Sequence, residues 1–168
     1  MRSTPLQAVI VPPEQAPVIK AFGLNMKVLL STEATGGAIA VLMAWHKPGE
    51  GPPDHVHFNQ DEIFFVVEGT YELTVGNRTS LAGPSTIVFI PRNVVHRFKN
   101  VGDITGPMLG WSLPGGQDHY LKAISDLAAG GGFSSEKVME ISKTFDTHFP
   151  VEPNARNSGP IVHTDGHS

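Results

Sequence analysis

The sequence predicts an all-β domain followed by two α-helices, on three observations. Gly and Pro supply 18 and 14 of the 168 residues, so the chain must turn often. Only 17% of the residues are charged, which favours a β domain over a helical bundle. Short runs of β-branched and aromatic residues continue to Pro114, and the apolar spacing then becomes helical. We therefore expect an arm or edge strand over 1–24, a β-barrel over 25–114, a helix pair packed on the barrel over 115–150 and a tail over 151–168.

Length and composition exclude several classes of protein. A chain of 168 residues is expected to form one domain. It has no cysteine, which excludes disulfides, thiolate metal sites and cysteine nucleophiles. The net charge of −4 provides no basic field for nucleic acid or an anionic membrane. Its apolar runs are too short to span a bilayer, and residues 1–13 lack the apolar core of a signal peptide. We expect a soluble, cytoplasmic protein.

The β region consists of an arm and a series of short strands. The arm contains one apolar run, Ala8–Val11, followed by Pro12, Pro13 and Pro17. Because proline cannot donate to a β-ladder, we expect one edge strand or an extended arm there. Short strands separated by turns predict a sandwich, barrel or jelly roll. The predicted strands are Met26–Ser31, Ala38–His46, Ile63–Val67, Tyr71–Val75, Thr86–Ile90, Val95–Lys99 and Met108–Leu113.

Two amphipathic helices are predicted after the strands. The first has apolar residues at helical spacing from Tyr120 to Ala128 and ends at a run of three glycines. The second begins after Ser134, whose hydroxyl can cap it, and ends at Pro150. Each helix must bury its apolar face, and the β domain offers the surface for this. The apolar stripe of the second helix comprises Val138, Ile141, Phe145 and Phe149.

Four side chains have the spacing of metal ligands. His55 and His57 lie two residues apart, so an extended backbone places both rings on one face. A turn over 58–61 brings Glu62 to the same side, and His96 starts a strand further along the chain. Three imidazoles and one carboxylate suit Fe, Mn, Co, Ni, Cu or Zn, and four protein ligands leave positions open for catalysis. The alternative is a group of ordinary surface histidines beside a proline-rich loop.

The same segments resemble the two signature motifs of the cupins. Pro91, His96 and Asn100 are similar to the second motif, which here has Asn93 where a glycine is usual. Asparagine tolerates a left-handed backbone, so the turn can still form. The resemblance implies a double-stranded β-helix, the cupin jelly roll barrel, that holds one divalent transition metal through three histidines and a glutamate. Without a gap or insertion, the first motif is matched by Gly49, His55, His57, Glu62 and Gly69.

A narrower resemblance suggests a reaction. Pro52-Pro53 before the histidines and the turn over 113–116 before the helices resemble small cupins related to quercetin 2,3-dioxygenase. This likeness implies a metal-dependent dioxygenase that acts on a hydroxylated aromatic or enolisable small molecule. It also implies a catalytic role for Glu62, which would take a proton from the substrate as well as bind the metal. A role as a ligand alone remains an equal alternative.

Two other functions fit the same residues. A non-oxidative metal cupin, such as an isomerase, lyase or cyclase, would use the metal as a Lewis acid and turn over without oxygen. A small-molecule binding cupin would bind its ligand without turnover. An anaerobic assay distinguishes the non-oxidative enzyme, which forms product without oxygen, from the dioxygenase. The binding cupin differs from both enzymes because it forms no product.

An apolar substrate pocket is expected beside the metal. Phe64 and Val66 share the strand parity of Glu62, so they should face the interior. His46 has no partner at ligand spacing and is expected to be a surface or interface group. The expected partners are a small-molecule substrate, dioxygen and, from the cupin resemblance, a second copy in a homodimer. The predicted pocket residues are Phe64, Val66, Phe98, Met43, Trp45, Tyr71, Met108 and Trp111.

Overall fold

The computed structural model describes residues 6–12 and 14–150, so the predicted tail over 151–168 lies outside the described residues. Nine β-strands precede two α-helices in this part of the chain. The all-β fold class with two C-terminal helices is thereby confirmed. The strands are β1 (Val18–Ala21), β2 (Leu24–Leu30), β3 (Ala40–His46), β4 (Asp61–Val66), β5 (Tyr71–Val75), β6 (Arg78–Ala82), β7 (Ile87–Ile90), β8 (His96–Asn100) and β9 (Gly106–Leu113).

The strands form two antiparallel sheets. The larger sheet has the order β1-β2-β3-β9-β4-β7, and the smaller has the order β6-β5-β8. The late strand β9 lies between β3 and β4, where it pairs with both. An isolated bridge between His55 and His96 ties the segment after β3 to the start of β8. This bridge brings the first two predicted ligands beside the fourth.

Two differences from the predicted strands have clear physical reasons. No strand forms over Ala8–Val11, and the edge strand is β1, which pairs with β2. Strand β6 follows the Gly76-Asn77 turn and pairs with β5, but the sequence did not indicate it. Four of its five residues are exposed, so it lacks the apolar alternation that reveals a half-buried strand.

The helices are α1 (Gln117–Ala129) and α2 (Ser135–Thr144). Ser134 caps α2, because its hydroxyl accepts a hydrogen bond from the Lys137 amide at 3.3 Å. The prediction that α2 reaches Pro150 is wrong. Asp146 adopts a left-handed backbone with φ of 58°, which ends the helix and turns the chain back towards the barrel. Neither described helix is both long and apolar enough to cross a membrane.

Two apolar clusters cover the inner face of the larger sheet. One cluster joins β4 and β9 to the smaller sheet and includes Phe64, Phe98 and Met108. The other joins β1, β2 and β3 to the helices and includes Leu42 and Tyr120. The residues that line the cavity of the protein come from both clusters. The helices are therefore part of its wall.

Candidate metal centre and substrate cavity

The four predicted ligands meet in the interior of the protein. His55, His57, Glu62 and His96 are all buried, and one ligand atom from each lies within 4.8 Å of the others. The Glu62 Oε2 atom is 2.8 Å from His96 Nε2 and 3.4 Å from His57 Nε2. The alternative of solvated surface histidines therefore does not apply.

Backbone carbonyls orient the three imidazoles. The Nδ1 atoms of His55, His57 and His96 lie 2.9, 2.8 and 2.9 Å from the carbonyl oxygens of three other residues. A carbonyl oxygen can only accept, so each Nδ1 carries the proton and donates. The Nε2 atom of each ring then faces the cluster, which is the arrangement of a metal-ligating histidine. The accepting carbonyls belong to Pro53, Asp146 and Val94.

Burial and electrostatic coupling within the cluster shift the pKa values of three of its members. Burial, together with the neighbouring His96, lowers the pKa of His55 to about 3, so this ring is neutral at physiological pH. Burial alone would raise the pKa of Glu62, but His57 and His96 hold it well below its usual range. Burial would likewise lower the pKa of His57, but Glu62 outweighs it and raises that pKa. The cluster thus presents a carboxylate to imidazole nitrogens.

The donor set fits a divalent transition ion. The buried Nε2 atom of His57 has no hydrogen-bond partner among the described residues, and an unpartnered buried polar atom is costly. A cation among the four ligand atoms would satisfy the lone pairs of the imidazoles and of Glu62 together. These residues could therefore hold one metal ion, and nitrogen and oxygen donors of this kind do not specify which.

A segment after α2 supports one of the ligands. The Asp146 carbonyl accepts the hydrogen bond from His57 Nδ1, and its carboxylate accepts bonds from the Phe58 and Asn59 amides at 3.1 and 2.6 Å. Val56 and His148 form a β-bridge beside these contacts. The loop that carries His57 is thus fastened to a segment about 90 residues away. No local pattern in the sequence indicates this contact, because the two segments meet only through the tertiary fold.

A cavity of about 630 Å³ reaches the cluster, and both His55 and Glu62 belong to its wall. Most of the wall is apolar, and its aromatic residues include Phe64, Phe98 and Tyr120. An apolar wall with a few polar groups at one place is typical of a small-molecule site. Four of the eight predicted pocket residues line it: Phe64, Phe98, Met108 and Trp111.

The other four predicted pocket residues lie elsewhere. Val66 and Tyr71 are fully buried in the cluster that joins the two sheets. Met43 and Trp45 belong to the opposite face of β3, because Leu42, Ala44 and His46 line the cavity and successive side chains alternate. The prediction for these four residues is therefore corrected. For Met43 and Trp45 the prediction chose the wrong face of β3, because both faces of this strand are largely apolar and the sequence does not distinguish them.

Several polar residues of the cavity were not predicted. Gln117, at the start of α1, donates from Nε2 to Glu62 Oε1 at 3.2 Å. The hydroxyls of Ser112 and Thr147 are buried without a hydrogen-bond partner among the described residues, and both residues line the cavity. His46 also lines it and is buried, which corrects its expected place at the surface. No pattern in the sequence distinguishes these residues from ordinary strand and loop positions.

A hollow, two-sheet antiparallel β fold with an inward-facing cluster of three histidines and one glutamate defines a β-barrel protein with a candidate metal site. A family model described as a cupin domain matches residues 45–109, the region that contains all four ligands. The chain belongs to the cupin superfamily, and the resemblance drawn from the two motifs is confirmed. Solved cupin structures fit the same jelly roll barrel.

Two curated relatives come from Streptomyces. Protein SchB of Streptomyces halstedii is 32% identical over 103 residues, which cover 60% of this chain and 74% of SchB. The polyketide synthase CurC of Streptomyces cyaneus is 36% identical over 83 residues, which cover 48% of this chain and 53% of CurC. The chain thus spans about half the length of CurC and about three quarters of SchB.

Solved structures share the fold at low identity. KdgF from Halomonas has a TM-score of 0.59 and 15% identity, with 66% of this chain and 99% of KdgF covered. The polyketide cyclase RemF from Streptomyces resistomycificus has a TM-score of 0.54 and 21% identity, with 64% of this chain and 80% of RemF covered. The sugar phosphate isomerase from Silicibacter pomeroyi has a TM-score of 0.55 and 19% identity, with 62% and 75% covered. Cupins of this shape therefore include a cyclase and an isomerase, and the nucleoside dehydratase Pac13 shares the fold.

Proposed function

We propose that this protein is a metal-dependent enzyme that acts on an enolisable, hydroxylated aromatic small molecule of the polyketide type. The observation that supports this best is a largely apolar cavity of about 630 Å³ whose wall includes Glu62 of the buried cluster. An apolar, aromatic-lined cavity of this size suits a molecule of several fused rings. The likeness to CurC and RemF, described as a polyketide synthase and a polyketide cyclase, supports the same substrate class.

Some residues of the site bind the substrate, and Glu62 transfers a proton. The apolar wall holds the rings of the substrate and excludes water. The four ligands would hold a metal ion, which would supply Lewis acidity that favours the ionised form of a substrate enol. Glu62 can accept a proton at Oε1, the oxygen to which Gln117 donates. The buried hydroxyls of Ser112 and Thr147 can bond to substrate oxygens.

Ring closure is the reaction that needs no further reactant. Glu62 takes a proton from the carbon beside a substrate carbonyl, and the electron pair of that C–H bond moves into an enolate. The enolate carbon then forms a bond to a second carbonyl carbon of the same molecule. The oxygen of that carbonyl takes up the proton and becomes a hydroxyl. The hydroxyl then leaves as water together with a proton from the adjacent carbon, and the electron pair of that C–H bond forms the double bond that makes the new ring aromatic. All atoms and electrons of the substrate are found in the cyclic product and the water, so the reaction needs no oxidant.

Dioxygenation of the same enolate is the second candidate. The few polar groups in the cavity favour it, since a wall that excludes water protects an electron-rich intermediate from simple reprotonation. In this reaction both atoms of dioxygen enter the substrate and supply the oxidant. Binding of the substrate and removal of its proton by Glu62 are the same in both reactions.

The test combines metal reconstitution with assays in air and under nitrogen. The protein is stripped with a chelator and reloaded with Zn, Mn, Fe, Co, Ni or Cu singly, and each form is incubated with quercetin and with an aromatic polyketone. Metal-dependent product under nitrogen supports ring closure, and oxygen uptake with quercetin supports dioxygenation. No product with any metal and either substrate overturns the proposal of an enzyme on this substrate class.

A matched pair of variants tests the role of Glu62. Glu62→Gln keeps the size of the side chain but removes the charge, so we expect metal affinity and turnover both to fall by at least tenfold. Glu72→Gln makes the same change on β5, where Glu72 is partly exposed between the buried residues Tyr71 and Leu73. It should leave both quantities within twofold of the wild-type values. Equal effects of the two substitutions would contradict the role of Glu62.

A further inference from the structure

His46 is a buried group that the proposed reaction does not use. Its side chain belongs to the inner face of β3 and lines the cavity with only 2% of its surface exposed. It lies away from the metal ligands, with Phe98 and Phe64 between. The ring centroids of His46 and Phe98 are 5.0 Å apart, those of Phe98 and Phe64 are 5.2 Å apart, and those of Phe64 and His96 are 6.4 Å apart.

Hydrogen bonds fix the tautomer of His46. The Tyr71 hydroxyl donates its single proton to the Gly106 carbonyl at 2.6 Å. It can therefore only accept from His46 Nδ1, which lies 3.1 Å away. Burial raises the pKa of Tyr71 to about 12, so the hydroxyl keeps its proton. The ring of His46 must then carry a proton on Nδ1, which leaves a lone pair on Nε2.

The Nε2 atom is an acceptor without a protein donor. No hydrogen bond to it is formed within the described ranges 6–12 and 14–150, although the ring lines the cavity. Burial lowers the pKa of His46 to about 4, so the ring stays neutral at physiological pH. The one acidic residue of the wall near it, Glu50, accepts a bond from the Lys47 amide at 2.7 Å. A neutral acceptor in an apolar wall is satisfied best by a hydroxyl of the ligand.

We propose that His46 is a specificity-determining residue that accepts a hydrogen bond from a second hydroxyl of the substrate, at the end remote from the metal ligands. The substrate class is then narrowed to hydroxylated polycyclic molecules with one oxygen at each end. The aromatic rings between the two ends lie over Phe64 and Phe98. This inference rests on the proposed function for the position of the first oxygen.

The experiment compares two probes that differ by one hydroxyl. 2,6-Dihydroxyanthraquinone has a hydroxyl at each end of a rigid three-ring frame, and 2-hydroxyanthraquinone lacks one of them. Binding of each to the zinc-loaded protein is measured by calorimetry. We expect the dihydroxy probe to bind about tenfold more tightly, because the other probe leaves His46 Nε2 unpaired. Equal affinity of the wild-type protein for the two probes would overturn the inference without recourse to any variant.

Two variants assign the difference to His46. His46→Phe keeps a ring against Phe98 but has no acceptor. It should therefore lower the affinity for the dihydroxy probe about tenfold and leave the affinity for the monohydroxy probe unchanged. His46→Gln places a carbonyl oxygen near the position of Nε2 and should restore most of the difference. Thermal unfolding and zinc content establish that each variant is folded and loaded. A His46→Phe protein that binds both probes as the wild type does would refute the role of His46.

The outcomes separate this inference from the proposed function. Zinc removal should weaken both probes if one hydroxyl lies at the metal site, as the proposed function requires. Zinc removal could leave the affinity for both probes unchanged while His46→Phe lowers the affinity for the monohydroxy probe. In that case the proposed function fails and His46 remains the hydroxyl acceptor. If zinc removal lowers the affinity for both probes and His46→Phe lowers the affinity for neither, the inference fails and the proposed function stands.

Discussion

Asp146→Asn should loosen the metal site without changing any ligand. The carboxylate holds the loop of His57 through two backbone amides, one to each oxygen, and the Asn59 side chain adds a third bond at 3.1 Å. An amide side chain offers one oxygen and directs an NH₂ group at the other donor. Asparagine also tolerates the left-handed backbone of this position, so the substitution isolates the loss of the carboxylate.

The expected magnitude follows from these contacts. One charge-assisted hydrogen bond is lost at a partly exposed place, so the free energy of unfolding should fall by about 1.5 kcal/mol. For a chain of this length that corresponds to a decrease in Tm of roughly 3–6 °C. The Asp146 carbonyl that orients His57 moves with the loop, so metal affinity should fall about tenfold.

The assay is a titration of the metal-free protein with Co²⁺, followed by visible absorption, with Tm measured on the same samples. Asp126→Asn is the matched control, since the Asp126 side chain is 63% exposed and its carboxylate pairs with Lys122, one turn earlier on α1. It should change stability by less than about 0.5 kcal/mol and leave Co²⁺ affinity unchanged. If Asp146→Asn binds Co²⁺ within twofold of wild type, the argument that this carboxylate positions His57 is wrong.

Three further predictions concern stability. The pKa of His46 is about 4 when folded and about 6.5 when unfolded, so the unfolded chain binds more protons between these values. Stability should therefore fall with decreasing pH, by about 2–3 kcal/mol near pH 4.5, and urea unfolding of His46→Phe should lack this component. Tyr71→Phe leaves the Gly106 carbonyl and His46 Nδ1 unpaired in the core and should cost about 2 kcal/mol by the same measurement; a loss below about 0.5 kcal/mol would contradict the pairing. Gly51→Ala places a Cβ in steric overlap with the Phe98 carbonyl oxygen and should cost about 3 kcal/mol or more. Gly49→Ala meets open space at φ of 87° and should cost only about 1 kcal/mol; similar thermal shifts for the two alanine variants would refute the steric argument.

The cluster of candidate metal ligands was predictable because its information is local. Two histidines with a spacing of two on an extended segment share a face under strand geometry. The turn over 58–61 then brings the glutamate at the start of the next strand to the same side. The fourth ligand was recognisable from its motif, and the left-handed turn that the motif needs is present at Asn93, with φ of 68°. Most strands were predictable for the same reason, since alternation and turn residues are visible within a few positions.

The rest of the site depends on contacts that are distant in the sequence. His46 owes its tautomer to Tyr71, which lies 25 residues away on another sheet. Thr147 lines the cavity and Asp146 contacts the loop of His57 only because α2 ends at Thr144 and the chain turns back. On β3 both faces are partly covered, so composition could not decide between the set with Leu42 and the set with Met43. In each case tertiary packing, and not local propensity, decides the outcome.

The fastening of His57 by Asp146 sets the order in which the protein can mature. During synthesis all four ligands leave the ribosome well before the segment that ends α2, because that segment lies 89 residues after His57. A nascent chain that contains only the barrel therefore presents a histidine whose orientation is not yet fixed. Tight capture of an ion by the four residues would therefore require that the segment after α2 has docked on the loop of His57.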